Sequence, residues 1–228
     1  MSNSPLVDFT LISPNSTNPR NKKISKITIH HMAGNASVEQ CGNVFQPKSR
    51  QASANYGVGT DGRVGMYVEE KNRSWASSSP ENDHMAITIE VANDGGANWH
   101  VSDKALAKTI DLCVDICERN GIKELNFTGD KTGNLTMHKY FAATACPGPY
   151  LESKFSYIAE EVNKRLGAKH NPLNPKELTT VNDIVWELHK RGVITDKNLW
   201  LKKLNEDSNA YWLARKCVNI IVSKGGAG

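Results

Sequence analysis

Met85-Ala86-Ile87-Thr88-Ile89-Glu90-Val91-Ala92-Asn93 is the clearest strand in the chain. Met85, Ile87, Ile89 and Val91 alternate with Ala86, Thr88, Glu90 and Ala92, a period of two that turns the first set to a core and Glu90 to the opposite face. Upstream, residues 24–31 (ISKITIHH) repeat the pattern: Ile27, Ile29 and His31 point one way, Thr28 and His30 the other. Between the two stretches, Ser37 can cap a helix with Val38, Cys41, Val44 and Phe45 on its apolar face, stopped near Pro47. Residues 56–59 and 63–69, joined by Thr60-Asp61-Gly62, read as a hairpin. Downstream, Ser102 and Asp103 open a long helix with Leu106, Ile110, Cys113, Val114 and Cys117 on one face, closed by Asn120-Gly121. A further helix is expected over 151–166. Strands interleaved with helices predict an α/β domain: a mixed central β-sheet flanked by helices.

Outward from this domain the composition breaks once. Gly167-Ala168-Lys169-His170-Asn171-Pro172-Leu173-Asn174-Pro175-Lys176 has a helix-stopping glycine and then two prolines among polar residues, the signature of a linker. The expected organisation is therefore a domain over 1–168, a linker over 169–176 and a small all-α module over 177–228. In that module Thr180, Asp196 and Ser208 or Asn209 can cap three short amphipathic helices. They hold three of the five tryptophans, Trp186, Trp200 and Trp212.

With 228 residues, 39% hydrophobic and 23% charged, the chain can bury a real core and is neither disordered nor coiled coil. No apolar run nears the roughly 20 residues of a membrane helix, so no membrane insertion is expected. The polar, proline-broken first thirty residues do not read as a signal peptide, which points to synthesis in the cytoplasm. The five cysteines are an odd and sparse set, read as reduced thiols unless they hold metal. The net charge is +4, with six basic against two acidic side chains in residues 1–50, thirteen against sixteen in 51–175 and nine against six in 176–228. That falls far short of a nucleic-acid-binding stripe.

The chemistry concentrates in residues 137–148, MHKYFAATACPG. A histidine leaves a short strand, a polar loop follows, and a cysteine stands before Pro-Gly. Imidazole and thiolate are both zinc ligands, and a catalytic zinc takes three protein ligands with one position open. His138 and Cys146 supply two; His30, at the end of its strand, is the natural third. Glu90 falls on the sheet face assigned to His30, where a carboxylate can act as general base and then general acid. His31, on the other face, reads as a hydrogen-bonded structural histidine rather than a fourth ligand. Cys113 and Cys117, one helical turn apart, read as core.

ITIHHMAG, YGVGTDGRV, ITIEVAND and MH…TACPGPYL, in this order over about residues 20–168, resemble the type-2 N-acetylmuramoyl-L-alanine amidases. That superfamily includes phage lysozyme-like amidases, wall-recycling amidases and peptidoglycan recognition proteins. The resemblance implies one Zn2+ per chain on His30, His138 and Cys146. It implies Glu90 as the proton shuttle, Tyr56 as a hydroxyl beside the scissile carbonyl and Thr144 as an oxyanion donor where several relatives carry lysine. Trp75 would line the peptide groove or simply pack.

The implied function is zinc-dependent hydrolysis of the bond between N-acetylmuramic acid and L-alanine in peptidoglycan. The setting would be that of a phage or prophage endolysin acting on the wall after holin-mediated release. Two rivals are a non-catalytic peptidoglycan-binding protein of the same fold and a thiol hydrolase using Cys146 and His138. The helical tail resembles, loosely, the wall-holding segments of endolysins from Gram-positive hosts. Its basic charge suits anionic wall polymers, while its tryptophans can equally build a small core or a dimer contact.

Overall fold

The two alternating stretches become neighbouring parallel strands, and the rest of the sheet grows from that pair. The computed structural model describes residues 2–167 and, further along, Val185, Leu188, His189, Ile194, Leu199, Trp200, Lys203 and Leu204. The strands are β1 (Phe9–Thr10), β2 (Ser16–Thr17), β3 (Lys26–His31), β4 (Tyr56–Val58), β5 (Val64–Met66), β6 (Arg73–Ser74), β7 (Ala86–Val91) and β8 (Leu135–Met137). The α-helices are α1 (Val38–Val44), α2 (Pro80–Met85), α3 (Asp103–Asn120), α4 (Pro149–Ser153) and α5 (Phe155–Arg165). Six strands form one mixed sheet, ordered β1-β5-β4-β7-β3-β8, and β2 pairs antiparallel with β6. Only β4 and β5 run antiparallel within the large sheet.

Local chemistry accounts for the helix ends. Ser37 and Gln40 form a reciprocal capping box at the start of α1. Ser102 caps α3, and Gly121, at φ 69°, ends it in the left-handed region where glycine carries no Cβ penalty. The helix expected over 151–166 is in fact two, α4 and α5, joined at Lys154. The hairpin's second strand is shorter than expected, Val64–Met66 only.

One sheet face carries Ile27, Ile29, Tyr56, Val58, Ile87, Ile89, Leu135 and Met137, buried in a single cluster with residues of α3 and α5. Each fully buried isoleucine there stabilises the fold by about 1.5–3 kcal/mol. The opposite face is polar yet equally closed. Thr28 stands opposite both Thr88 and Thr136; its hydroxyl bonds that of Thr136 (2.9 Å) and accepts from Asn82 Nδ2 (3.0 Å). Thr88 likewise meets Ser74 Oγ at 2.7 Å. Further along this face Tyr67 lies over Gly57 and Gly65 and donates to the Val38 carbonyl at 2.8 Å, tying α1 to the sheet. A Cβ at Gly65 would stand 2.5 Å from the Tyr67 hydroxyl, so that crossing requires glycine.

Two buried ionic centres hold the margins. All the Arg20 donors used go to main-chain carbonyls, those of Glu70, Asn72, Asp83, His84 and Ala86, which clamps the segment leading into β7. Glu70, whose side chain is fully buried, receives two bonds from Arg119 (2.9 and 2.6 Å) and one from Tyr56 Oη (2.7 Å). The first residues of the chain join this centre: Ser4 N–H donates to Tyr56 Oη and Asn3 accepts from Glu70 N–H. Asp8, Leu11 and Ser13 N–H groups then bond carbonyls of Val64, Met66 and Tyr67, so the N-terminal segment is part of the sheet edge.

The chain divides into two compact units, Met1–Ala168 and Lys169–Gly228. In the second, Val185, Leu188 and Leu204, expected apolar-face positions, are buried, as is Ile194. Lys203 Nζ sits 5.5 Å from the Trp200 ring centre. Trp186 and Trp212 lie outside the described residues, as does Cys217. Among the described residues no helix is long and apolar enough to cross a membrane.

Arg119→Met leaves the buried Glu70 carboxylate without its bidentate partner and should cost about 3 kcal/mol in urea unfolding. A loss below half a kcal/mol would show that the pair does not hold this margin.

Candidate metal centre and catalytic cavity

Parallel, in-register pairing decides which side chains meet at the C-terminal ends of β8, β3 and β7. Ile29 is flanked by Met137 and Ile89, and the next residue, His30, pairs with Glu90 on the polar face. One step beyond Met137 the chain enters a single helical turn, His138–Tyr140, and His138 emerges beside His30, ring centroids 4.6 Å apart. Cys146 arrives from the following loop. Its carbonyl accepts Lys139 N–H at 3.1 Å, and its own N–H donates to Thr144 Oγ1 at 3.1 Å.

Donor atoms of His30, His138 and Cys146 all lie within 4.8 Å of one another. Ligands of a tetrahedral zinc, with bonds of about 2.0–2.3 Å, stand about 3.5 Å apart, so the trio fits that ion with a small inward closure. The polar inventory fits as well. Nε2 of His30 and of His138 and Oε2 of Glu90 are buried with no hydrogen-bond partner among the described residues. Such groups cost free energy unless something satisfies them.

Burial first, then the neighbouring His138 and His31, holds the His30 imidazole well below its usual pKa, so it is neutral and free to coordinate. Burial also lowers the pKa of His138. It pushes the Glu90 carboxyl up to about 8, with Arg50 pulling in the other direction. It also raises the Cys146 thiol, as does nearby Glu90, while a hydrogen bond from the His31 backbone opposes them. A thiol held protonated by its surroundings is a poor nucleophile, which weighs against the cysteine-hydrolase rival.

His30, Glu90, His138 and Cys146 line a cavity of about 460 Å3. Trp75 is on its wall, the indole N–H bonded to Thr17 Oγ1 at 2.9 Å. Thr144 is exposed; its hydroxyl oxygen accepts the Cys146 N–H, and its hydroxyl proton can be donated elsewhere.

The expectation for Tyr56 is corrected. It pairs with Ile89, not Glu90, so strand parity turns its ring to the apolar face, where the hydroxyl bonds Glu70 and Ser4. His31 also differs from expectation. At the end of β3 it reaches the cavity wall instead of the core, stacked on Trp99 at 4.6 Å and bonded to Asn93 at 2.9 Å.

Sequence reasoning missed Arg50, Arg73 and Asp83 on the cavity wall. Arg73 lies on the two-residue strand β6 and Arg50 on a short turn (Lys48–Arg50), so no periodicity marks either one.

The family model described as N-acetylmuramoyl-L-alanine amidase matches residues 20–149, a span containing His30, Glu90, His138 and Cys146. The chain belongs to the type-2 N-acetylmuramoyl-L-alanine amidase family. Among solved structures, PlyL is similar over 68% of this chain and 96% of its own, at 16% identity and a TM-score of 0.55. The PlyG catalytic domain is similar over 73% and 98%, at 16% identity and a TM-score of 0.57. A mutant endolysin from Bacillus subtilis is similar over 68% and 99%, at 17% identity and a TM-score of 0.53. These likenesses are of fold, the mixed sheet with flanking helices of the amidase family. No curated protein matches the chain by sequence.

Because the Tyr56 hydroxyl serves the Glu70 centre, Tyr56→Phe should cost about 1–2 kcal/mol of stability and leave kcat/KM within about twofold. A large loss of turnover with unchanged stability would restore Tyr56 to the reaction.

Proposed function

We propose that this amidase binds one zinc per chain through His30, His138 and Cys146 and hydrolyses the amide between N-acetylmuramic acid and L-alanine in peptidoglycan, as a lytic endolysin. The observation that carries the reading is the convergence of two imidazoles and a thiol within 4.8 Å, beside an unpartnered carboxylate, in a cavity open to substrate. Zinc, when bound there, acidifies water and polarises a carbonyl.

The chain's own residues supply the rest. Glu90 Oε2, unpartnered and on the His30 face, takes a proton from the attacking water and returns it to the departing alanine nitrogen. The Thr144 hydroxyl holds Cys146 by its N–H and can give its own proton to the developing oxyanion. Trp75, tethered through Thr17, offers a ring to the sugar or peptide. Residues 169–176 serve as a linker, and the basic module over 177–228 as a holder of anionic wall polymers.

A purely peptidoglycan-binding role would not need Glu90 beside a full donor trio. Mass spectrometry of digested sacculi should reveal new L-alanine amino termini on the stem peptides and muramic acid freed of peptide. Cuts only within glycan or within peptide would overturn the assignment.

Glu90→Gln should keep about one zinc per chain while kcat falls by about 100- to 10,000-fold; undiminished turnover would remove Glu90 as the shuttle. Ending the chain at Ala168 should preserve hydrolysis of soluble muropeptide and weaken binding to intact walls. Equal wall binding would leave the tail without that role.

A further inference from the structure

Trp99 stands at an odd place. Residues 94–98 (Asp-Gly-Gly-Ala-Asn) are exposed, yet the residue that follows is partly buried and adopts φ 49°, a left-handed conformation that bulky side chains seldom take. The loop is closed upon itself to hold it so. Trp99 N–H bonds the Gly96 carbonyl (3.0 Å), Asp94 N–H bonds the His100 carbonyl (2.9 Å), and Asp94 Oδ1 accepts from Gly96 and His100 N–H (2.8 and 3.0 Å). Strain of this kind persists only where surrounding contacts over-determine it.

Those contacts lie on two segments that carry proposed zinc ligands. On one side the indole stacks on His31, centroids 4.6 Å apart and planes 18° from parallel, next in sequence to His30. His31 is fixed from the same loop by Asn93 Nδ2, 2.9 Å from its Nδ1. On the other side the indole rests on Gly148, two residues past Cys146. A Cβ at Gly148 would overlap Trp99 Cε3 and stand 3.2 Å from its Cδ2 and Cζ3, so the glycine is what lets the ring come so near. Gly148 N–H bonds the Ala145 carbonyl at 2.8 Å, closing a tight turn with Cys146 inside it. The ring therefore bears on one end of that turn, while Thr144 and Lys139 hold the other. Trp99 does not line the cavity and so acts only through its neighbours.

We propose that Trp99 is a positioning residue of the metal centre: wedged between His31 and Gly148, its indole sets where the Cys146 sulfur stands relative to His30 and His138. The inference rests on the zinc reading above and adds to it a residue outside the ligand set. Groups that orient a metal's ligands commonly tune its affinity, and Trp99 would do so through the residues next to His30 and two past Cys146.

The test uses the full chain as wild type, Trp99→Phe, Trp99→Leu and Trp99→Ala. Zinc affinity is read by chelator competition, and cobalt(II) replaces zinc so that the thiolate-to-cobalt and ligand-field bands report sulfur placement. Trp99→Ala should lose about 10- to 100-fold in zinc affinity and shift the cobalt bands. Trp99→Phe, which keeps a ring over His31, should hold both near wild type. Trp99→Leu keeps bulk without a stacking plane and should lose affinity as Trp99→Ala does, so it decides the matter if the alanine variant does not fold. Wild-type affinity and bands in Trp99→Ala or Trp99→Leu, even with a lowered unfolding temperature, would overturn the proposal and leave Trp99 a packing residue. A wild-type protein that binds neither ion through sulfur would instead overturn the zinc reading, and this inference with it.

Discussion

The register between β3 and its two parallel neighbours is the constraint on which the rest depends. Side chains alternate with period two along a strand, so a slip of one residue against β7 would turn Glu90 away from His30. The same slip against β8 would carry His138 past its partner. The register is fixed from both faces. Ile27, Ile29, Ile87, Ile89 and Met137 fill the apolar side, and Thr28, Thr88 and Thr136 form a row of threonines on the polar side. That row lies two residues before His30 and Glu90 on their strands, and it is buried and hydrogen-bonded throughout. The chemistry thus sits on a polar sheet face that is as tightly determined as the core beneath it.

Burial disfavours charge on the donors that line the cavity. Desolvation disfavours the charged forms of His30, His138, Glu90 and Cys146. Three of these groups, His30, His138 and Glu90, carry a buried polar atom with no hydrogen-bond partner among the described residues, a cost to the fold unless something satisfies it. A divalent ion reverses that balance, favouring the thiolate and satisfying the ring nitrogens that coordinate it. On the proposed zinc reading, metal binding is coupled to the stability of the first unit.

Much of this was legible in the sequence, because period-two alternation is a strong signal and the decisive residues lie on strands. Glu90 and His30 could be placed on one face from Ile87, Ile89, Ile27 and Ile29 alone, and the caps Ser37, Ser102 and Gly121 marked helix ends closely. The failures have physical causes. The family likeness points Tyr56 at the substrate, against its own parity: Tyr56 and Val58 follow the apolar alternation, and Gly57 holds the place opposite Glu90. His31 obeys parity but ends its strand, where the sheet no longer covers it and the Trp99 loop does. Arg50, Arg73 and Trp99 belong to turns or a two-residue strand, where no periodicity carries information and long-range contacts decide position.

X-ray absorption at the zinc edge of the loaded protein addresses the gathering of ligands directly. A first shell with one sulfur at about 2.3 Å and two imidazole nitrogens at about 2.0 Å is the expected result, completed by a light atom. A shell without sulfur, or one holding a third imidazole from His31, would contradict it.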